Sequence, residues 1–271
     1  MKEPLLSIVT INRNDRAGLA RTLASVDAQR FLDRELVVVD GASTDGSQDV
    51  VRSARPGLVT TFVSEPDGGI YDAQNKGLAL ARGTYCLFLN SGDALLGSDV
   101  LGRLLAGPPT EDLVYGDAIV EEPWGARRPW KIPDPITLRW LLRSSLSHPA
   151  TAIRRSVFDA VGRYDTSLRV AGDYRFFLDA LVNHGATTRH VAVEVAEMAK
   201  GGISTSPRTR ALVAEERARV HSEVLSPVLR AHLAEQAREE ALRPGALVRA
   251  AFRPLARGLR TLGRRLRGRP D

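Results

Sequence analysis

The stretch Leu36-Val37-Val38-Val39-Asp40-Gly41-Ala42-Ser43-Thr44-Asp45-Gly46 decides the fold. Its apolar run reads as a strand, and the acid followed by glycine, serine, threonine and aspartate ends that strand in a turn. Working outward, the same unit recurs. Leu5 to Ile11 is another short apolar, β-rich run, followed by polar Asn12-Arg13-Asn14-Asp15 and a segment in which Leu19, Leu23 and Val26 repeat at helical spacing. Thr60 to Val63 and Thr84 to Leu89 read as two more strands, with a helix over Ile70 to Ala81 between them. Strand and helix alternating in this way predict an α/β fold: a mostly parallel sheet flanked by helices.

The polar residues are placed where such a sheet binds ligands. Thr10 to Asn12, Asp40, Glu65 to Asp67 and Asn90 to Asp93 each follow directly on the C-terminal end of an expected strand. Ligands in open α/β sheets collect at that edge. Carboxylates and exposed helix N-termini there suit a base and ribose, and suit a diphosphate when a divalent cation offsets its charge. The expected ligand is a nucleotide diphosphate.

Composition narrows the class. The chain has 271 residues, enough for one large domain and an appendage, and a formal net charge of +6. That charge is uneven. Residues 206 to 271 hold 15 Arg, no Lys and 7 acids, whereas 23 basic and 25 acidic residues precede them, so the body is slightly acidic. Leu247, Ala251, Leu255, Leu259, Leu262 and Leu266 fall at helical spacing in the tail, and Arg249, Arg253, Arg257, Arg260, Arg264 and Arg267 occupy other faces. An Arg-rich amphipathic helical tail over 206–271 is expected, interrupted at Pro254, and its chemistry suits an anionic membrane surface. Cys86, the single cysteine, is expected buried in a strand. No secretory signal is legible and no apolar run approaches the ~20 residues of a spanning helix. The expected location is cytoplasmic, peripheral on the inner face of the plasma membrane.

Four blocks together resemble a known family: Leu5-Ser-Ile-Val-Thr-Ile-Asn-Arg13, Val37-Val-Val-Asp-Gly-Ala-Ser-Thr-Asp-Gly46, Glu65-Pro-Asp-Gly-Gly-Ile-Tyr-Asp-Ala-Gln-Asn-Lys-Gly77 and Leu87-Phe-Leu-Asn-Ser-Gly-Asp93 are similar to family 2 glycosyltransferases. The likeness is to the branch that builds colanic acid and other bacterial exopolysaccharides. It extends through Ser147-His-Pro-Ala-Thr-Ala-Ile-Arg-Arg155 and Gly172-Asp-Tyr174. The resemblance implies a GT-A nucleotide-diphospho-sugar transferase domain over 1–205. The implied reaction is inverting transfer of a sugar to a hydroxyl of a glycan or lipid-linked acceptor in cell-surface polysaccharide synthesis.

Such a displacement needs a stabilised leaving diphosphate and a base for the acceptor hydroxyl. By matching position, Asp93 is the expected ligand of Mg²⁺ or Mn²⁺; the family's acidic cluster here reads Asn90-Ser-Gly-Asp93 and keeps one carboxylate. Asp173, expected in the first turn of a helix over Tyr174 to Leu181, is the implied base. Thr10, Asn12 and Asp40 are implied for the nucleobase pocket, Asn90 for the ribose, and Asp67 and Lys76 for ribose or phosphate. His148 is implied to face the acceptor or the metal. Tyr115-Gly-Asp117 is expected at a strand end near the acceptor side, Glu121 to Pro135 as a loop, and Trp124, Trp130, Trp140 and Tyr164 as candidate flat surfaces for sugar rings.

Three other readings compete. A non-catalytic nucleotide-sugar-binding or scaffold protein accommodates the reduced acidic cluster. A nucleic-acid binder explains the Arg-rich tail but leaves the acidic strand ends without a purpose, so no nucleic-acid partner is expected. A nucleotidyltransferase lacks the Gly-rich, basic N-terminal loop that a nucleoside triphosphate requires.

Overall fold

The run expected at Leu5 to Ile11 is β1 (Leu6–Asn12), buried at every residue in the computed structural model, which describes residues 3–107, 109–121, 125–198 and 207–242. A strand covered on both faces has no reason to alternate, and Leu6 and Ile8 on one face and Val9 and Ile11 on the other are all buried, with Ser7 and Thr10 among them. Then come α1 (Arg16–Asp27), β2 (Arg34–Asp40), α2 (Ser47–Arg52), β3 (Thr61–Ser64), α3 (Ile70–Leu80) and β4 (Tyr85–Phe88). β1 pairs in parallel with β2 and β4, and β2 with β3, so that Asn12 stands beside Asp40 and Asp40 beside Ser64. This half is the parallel sheet expected from the sequence.

The second half is mixed. It comprises β5 (Ala94–Leu95), α4 (Val100–Leu104), β6 (Leu113–Glu121), β7 (Arg127–Trp130), α5 (Leu138–Leu141), β8 (Thr151–Arg154), α6 (Arg155–Val161), α7 (Gly172–Val182), β9 (Thr188–Met198), α8 (Arg210–Val224) and α9 (Pro227–Leu242). The sheet runs β3-β2-β1-β4-β8-β6-β9-β5, with β7 beside β6. β8 is antiparallel to both β4 and β6, whereas β6 and β9 are parallel. Leu19, Leu23 and Val26 of α1 and Leu101 and Leu104 of α4 pack with Leu6, Ile8, Leu36 and Val38 in one core layer. Ala73 of α3 packs against Ile11, Val37 and Val39, which point the other way along the same strands. On that second face an aromatic cluster joins Phe88 to Phe158, Tyr164 and Phe176. Cys86 is buried, as expected, and burial pushes its thiol up to about 12.

Two expectations are corrected. Glu121 to Pro135 is not simply a loop: Arg127–Trp130 is a strand whose register sets Ala118 opposite Trp130. Its first three residues are exposed, so no apolar pattern marked it. Tyr115-Gly-Asp117 is not a strand end but the interior of β6, where the register with β9 shifts. Asp117 there accepts from Ile132 N at 3.0 Å and Lys131 Nζ at 2.8 Å, which accounts for its carboxylate structurally.

Contacts divide the chain into a unit Met1–Val220 and a unit His221–Asp271. The first therefore runs past the boundary expected at 205 and takes in most of α8. Residues 243–271, which hold most of the Arg-rich stripe, lie outside the described residues, as does Trp124. Among the described residues no helix is long and apolar enough to cross a membrane.

The edge of the sheet opposite the strand ends is locked by one carboxylate. Glu35, 3% exposed, accepts from Ser7 Oγ at 2.6 Å, Arg82 N at 2.6 Å and Arg82 Nη2 at 2.8 Å. Burial pulls its pKa up, but the bonds from Ser7 and Arg82 outweigh this and hold it below the ordinary glutamate value. Glu35→Gln is expected to lower stability at pH 7 by about 2 kcal/mol, a modest figure because Arg82 is half exposed. In a thermal melt this is a fall of roughly 4–8 °C. A depressed carboxylate contributes fully above its unfolded pKa and less as pH falls through its folded one, so the two melting temperatures should converge below about pH 4.

Candidate active site

The C-terminal ends of β1 and β4, the N-terminus of α3, the turn before β8 and the N-terminus of α7 enclose a cleft of about 470 Å³. Six of the residues expected at a site line it: Asn12, Asp67, Asn90, Asp93, His148 and Asp173. Thr10, Asp40 and Lys76 do not.

Asp40 is fully buried beneath the cleft. Its Oδ1 accepts from Asn12 Nδ2 at 2.8 Å and Ser43 Oγ at 2.5 Å, and its Oδ2 from Ser43 N at 2.9 Å and Ser64 Oγ at 2.7 Å. A carboxylate has about four acceptor sites, and all of Asp40's are spent on the protein. It fixes the floor rather than reaching a base. Burial raises its pKa, but these bonds prevail and hold it low. Lys76 is turned away, pairing with Glu65 at 2.8 Å and donating to Pro66 O at 2.8 Å, so it pins the loop before α3 instead of facing a phosphate. Thr10 is buried in β1.

Asp67 lies in the cleft wall, 3.7 Å from Arg13, and accepts from Gly69 N at 3.0 Å. Its Oδ2 occupies the space where a side chain at position 41 would begin, 2.2 Å from an ideal Cβ on Gly41. A side chain at position 41 would displace this carboxylate from its place in the wall.

A chain of hydrogen bonds crosses the cleft. Asp173 Oδ1 accepts from Tyr71 Oη at 3.0 Å and from Tyr174 N at 2.8 Å, and Oδ2 faces His148 Nδ1 at 3.3 Å. His148 Nε2 lies 3.3 Å from Asn90 Nδ2, and Asn90 Oδ1 accepts from Gln74 Nε2 at 3.1 Å. With its proton on Nδ1, the imidazole donates to Asp173 and accepts from Asn90. Both ring nitrogens are thus engaged, and the ring is an orienting group for Asp173. Burial pulls the His148 pKa down, but the bond to Asp173, that carboxylate's charge and the charge of Asp93 raise it overall. Burial likewise pulls Asp173 up, and His148, the Tyr174 amide and the Tyr71 hydroxyl hold it below the ordinary aspartate value. Three acceptor sites of Asp173 are occupied out of about four, leaving one open.

Tyr71 and Gln74 were not singled out from the sequence, although both stand in the Gly68-Gly-Ile-Tyr-Asp-Ala-Gln74 stretch. Tyr71 reaches Asp173 because position 172 is glycine: a Cβ there would lie 2.7 Å from the tyrosine ring. None of the three candidate sugar-stacking aromatics that are described, Trp130, Trp140 and Tyr164, lines the cleft. Tyr164 is in the aromatic core.

Two buried acceptors in the cleft lack a protein partner, Asn12 Oδ1 and Gln74 Oε1. Buried polar atoms are nearly always satisfied, so orphans at a cleft indicate donors brought by a ligand, such as the N–H groups of a base or the hydroxyls of a sugar. Among the described residues no three His, Cys, Asp or Glu side chains converge on one point. A cation here would take one protein carboxylate, Asp93, with diphosphate oxygens and waters completing its shell. That donor set fits Mg²⁺, which keeps several waters and few protein ligands.

Comparison with known proteins agrees with this architecture. Residues 7–162 match the model of "Glycosyl transferase family 2". A "PGL/p-HBAD biosynthesis glycosyltransferase" of Mycobacterium bovis is 34% identical over 215 residues, 76% of this chain and 81% of that protein. The fold resembles S. aureus TarS in complex with UDP (TM-score 0.61, 20% identity, covering 89% of this chain and 72% of that one). It also resembles the mannosyltransferase PcManGT of Pyrobaculum calidifontis in complex with GDP-Man and Mn²⁺ (TM-score 0.56, 19% identity, covering 93% and 84%). The sheet and its flanking helices are thus of the GT-A kind, and the chain belongs to glycosyl transferase family 2.

Proposed function

We propose that the cleft binds a nucleotide-diphosphate sugar together with Mg²⁺ or Mn²⁺ and transfers the sugar, with inversion, to a hydroxyl of a glycan or lipid-linked acceptor in cell-surface polysaccharide synthesis. The observation that carries this reading is the chain Tyr71–Asp173–His148–Asn90, which holds within it a carboxylate with one open acceptor site in the same cleft as Asp93. Asp173 is ionised at neutral pH and takes the acceptor proton. His148 and Tyr71 fix its orientation, and in-line attack from its side, opposite the leaving diphosphate, inverts the anomeric centre. The cation, when bound, neutralises charge building on the diphosphate. Asn12, Asn90 and Gln74 supply acceptors and donors for base and ribose, Asp67 lies beside them, and Asp40 holds Asn12 in place. TarS in complex with UDP and PcManGT in complex with GDP-Man and Mn²⁺ share this fold, which supports the donor class.

Donor binding is testable by thermal shift with UDP-, GDP- and TDP-sugars, each with Mg²⁺ or Mn²⁺. A selective ligand at 100 times its Kd stabilises by about 2.7 kcal/mol, or about 5–10 °C here. The expected outcome is a metal-dependent rise for one nucleotide class, lost in Asp93→Ala; a rise that survives without metal or in that variant would remove Asp93 from the metal site.

Turnover tests the base. Asp173→Asn is expected to lower kcat by about 10²–10⁴-fold while the donor still shifts the melt. His148→Asn removes a group that holds the Asp173 pKa down, so the acid limb of the kcat–pH profile should move to higher pH. Donor binding with undiminished turnover in Asp173→Asn would shift the role to another residue, and binding without turnover in the wild type would favour the scaffold reading.

We further infer that the Arg-rich tail docks the enzyme on anionic lipid, where lipid-linked acceptors are found. Nine Arg and no acid lie between Arg243 and Arg269. Polybasic segments gain about 1 kcal/mol per cation near such a surface. A chain ending at Leu242 should lose cosedimentation with phosphatidylserine vesicles and the full chain should keep it at low salt; equal binding by both would rule the tail out.

A further inference from the structure

α8 lies beyond the residues matched by the family model, and from the sequence it belongs to the tail. In the structure its side chains grip the segment that carries Asp173. Glu216, 7% exposed, turns its Oε1 to Arg169 N at 2.7 Å and its Oε2 to Val170 N and Ala171 N, both at 2.9 Å. Ala171 is the N-cap of α7 and has no side chain that can cap it. The first amides of a helix have no partners within the helix, and an acid at that end is favoured by the helix dipole. Glu216, from a distant part of the chain, brings an acid to that end and binds the N-cap amide together with the two amides before it.

Its neighbours act on the same segment. The Arg217 guanidinium stacks 3.7 Å above the Tyr174 ring and donates to Leu141 O at 3.2 Å and Ser144 O at 3.0 Å. Arg219 donates to Ser167 Oγ at 3.0 Å. The backbone from 167 to 174 is thus held at three places, and Asp173 lies between the second and third. Val170, one of the residues whose amide Glu216 binds, itself lines the cleft. Opposite, Gly172 is pressed against the Tyr71 ring, with no room for a Cβ, so a small displacement of this backbone would move Asp173 relative to both Tyr71 and His148.

We propose that Glu216 is a positioning residue for the transfer reaction: by fixing the Arg169–Ala171 amides it holds Asp173 at its hydrogen-bond distances from His148 and Tyr71. This rests on Asp173 being the base. A burial of charge on this scale is expensive unless the hydrogen bonds are all made, and three charge-assisted bonds to consecutive amides meet that condition. Glutamine at 216 would keep one acceptor and present an NH₂ to amides that also donate, so the grip is lost with almost no change of volume.

The experiment compares Glu216→Gln, Glu216→Asp and Asp173→Asn in the full chain, using the UDP-, GDP- or TDP-sugar that stabilises the wild type. For Glu216→Gln the expected result is a kcat at least 10-fold lower, a donor KM within twofold of wild type, and an acid limb displaced to higher pH as Asp173 loses its partners. Glu216→Asp, which keeps the charge with a shorter reach, should recover part of the kcat. Hydrogen exchange, which needs no sugar, should quicken at the amides of 169–171 in Glu216→Gln. If exchange quickens while kcat and the acid limb stay at wild-type values, Glu216 is merely structural and the proposal falls. If Asp173→Asn is itself fully active, it is the assignment of the base that fails. Should Glu216→Gln not fold, Arg217→Gln, which removes the stack on Tyr174, is expected to give the same kcat loss and pH displacement at constant KM, and their absence would overturn the proposal equally.

Discussion

The cleft depends on a carboxylate that never reaches it. Asp40 ties together Asn12 from β1, Ser43 from the loop after β2 and Ser64 from β3, and it is fully buried. Three parallel strands must end where a ligand is to bind, and each end leaves polar backbone and side-chain groups that cannot be buried unpaired. One charged acceptor with about four sites solves that problem for all three strand ends. It leaves Asn12 with its amide nitrogen committed and its carbonyl oxygen orphaned in the cleft wall. The recognising group is thereby presented in a fixed orientation by a residue one layer below.

The opposite wall is built by another principle. Asp173 is not at the end of a parallel strand; it is in the first turn of α7, and its position is set by contacts from distant sequence: Tyr71, His148 and, through the backbone, Glu216. The parallel half of the sheet therefore gives the cleft rigid strand ends, and the mixed half, with its helices, gives it Asp173. His148 links them, since one ring nitrogen faces Asp173 and the other faces Asn90 just after β4. Asp173 is thus tied to the parallel half twice, by this imidazole and by the Tyr71 hydroxyl of α3.

This division explains what was legible in the sequence. The strands β1, β2 and β4 are legible to within one or two residues because burial keeps their sequences mostly apolar, and the strand-end polar residues follow from them. The exposed strand β7 has no such run and was read as loop. Asp40 looked like a ligand-facing residue because an acid at a strand end reads the same whether it points into the cleft or beneath it; only Ser43 and Ser64 around it decide. Lys76 fits its motif position, yet Glu65 and the carbonyl of Pro66 hold it elsewhere. Nothing local in the sequence marks Tyr71, because its partner is 102 residues away.

Glu216 shows the same blindness in sharper form. In sequence it stands in Glu215-Glu-Arg217, which resembles any solvated helix face with paired charges. The basic excess of the last 66 residues made the whole segment look like one tail. Net charge, however, averages over roles that burial separates: a carboxylate 7% exposed among three amides is part of the core, whatever the charge of the segment around it. The segment's character changes within α8. Up to Val220 the chain belongs to the compact unit that holds Asp173, so a boundary drawn by charge alone cuts between Asp173 and the residues of α8 that bind the backbone before it. Where a chemical group must be held to a fraction of an ångström, the holding residues come from wherever the fold brings a complementary charge, and sequence distance carries no information about them.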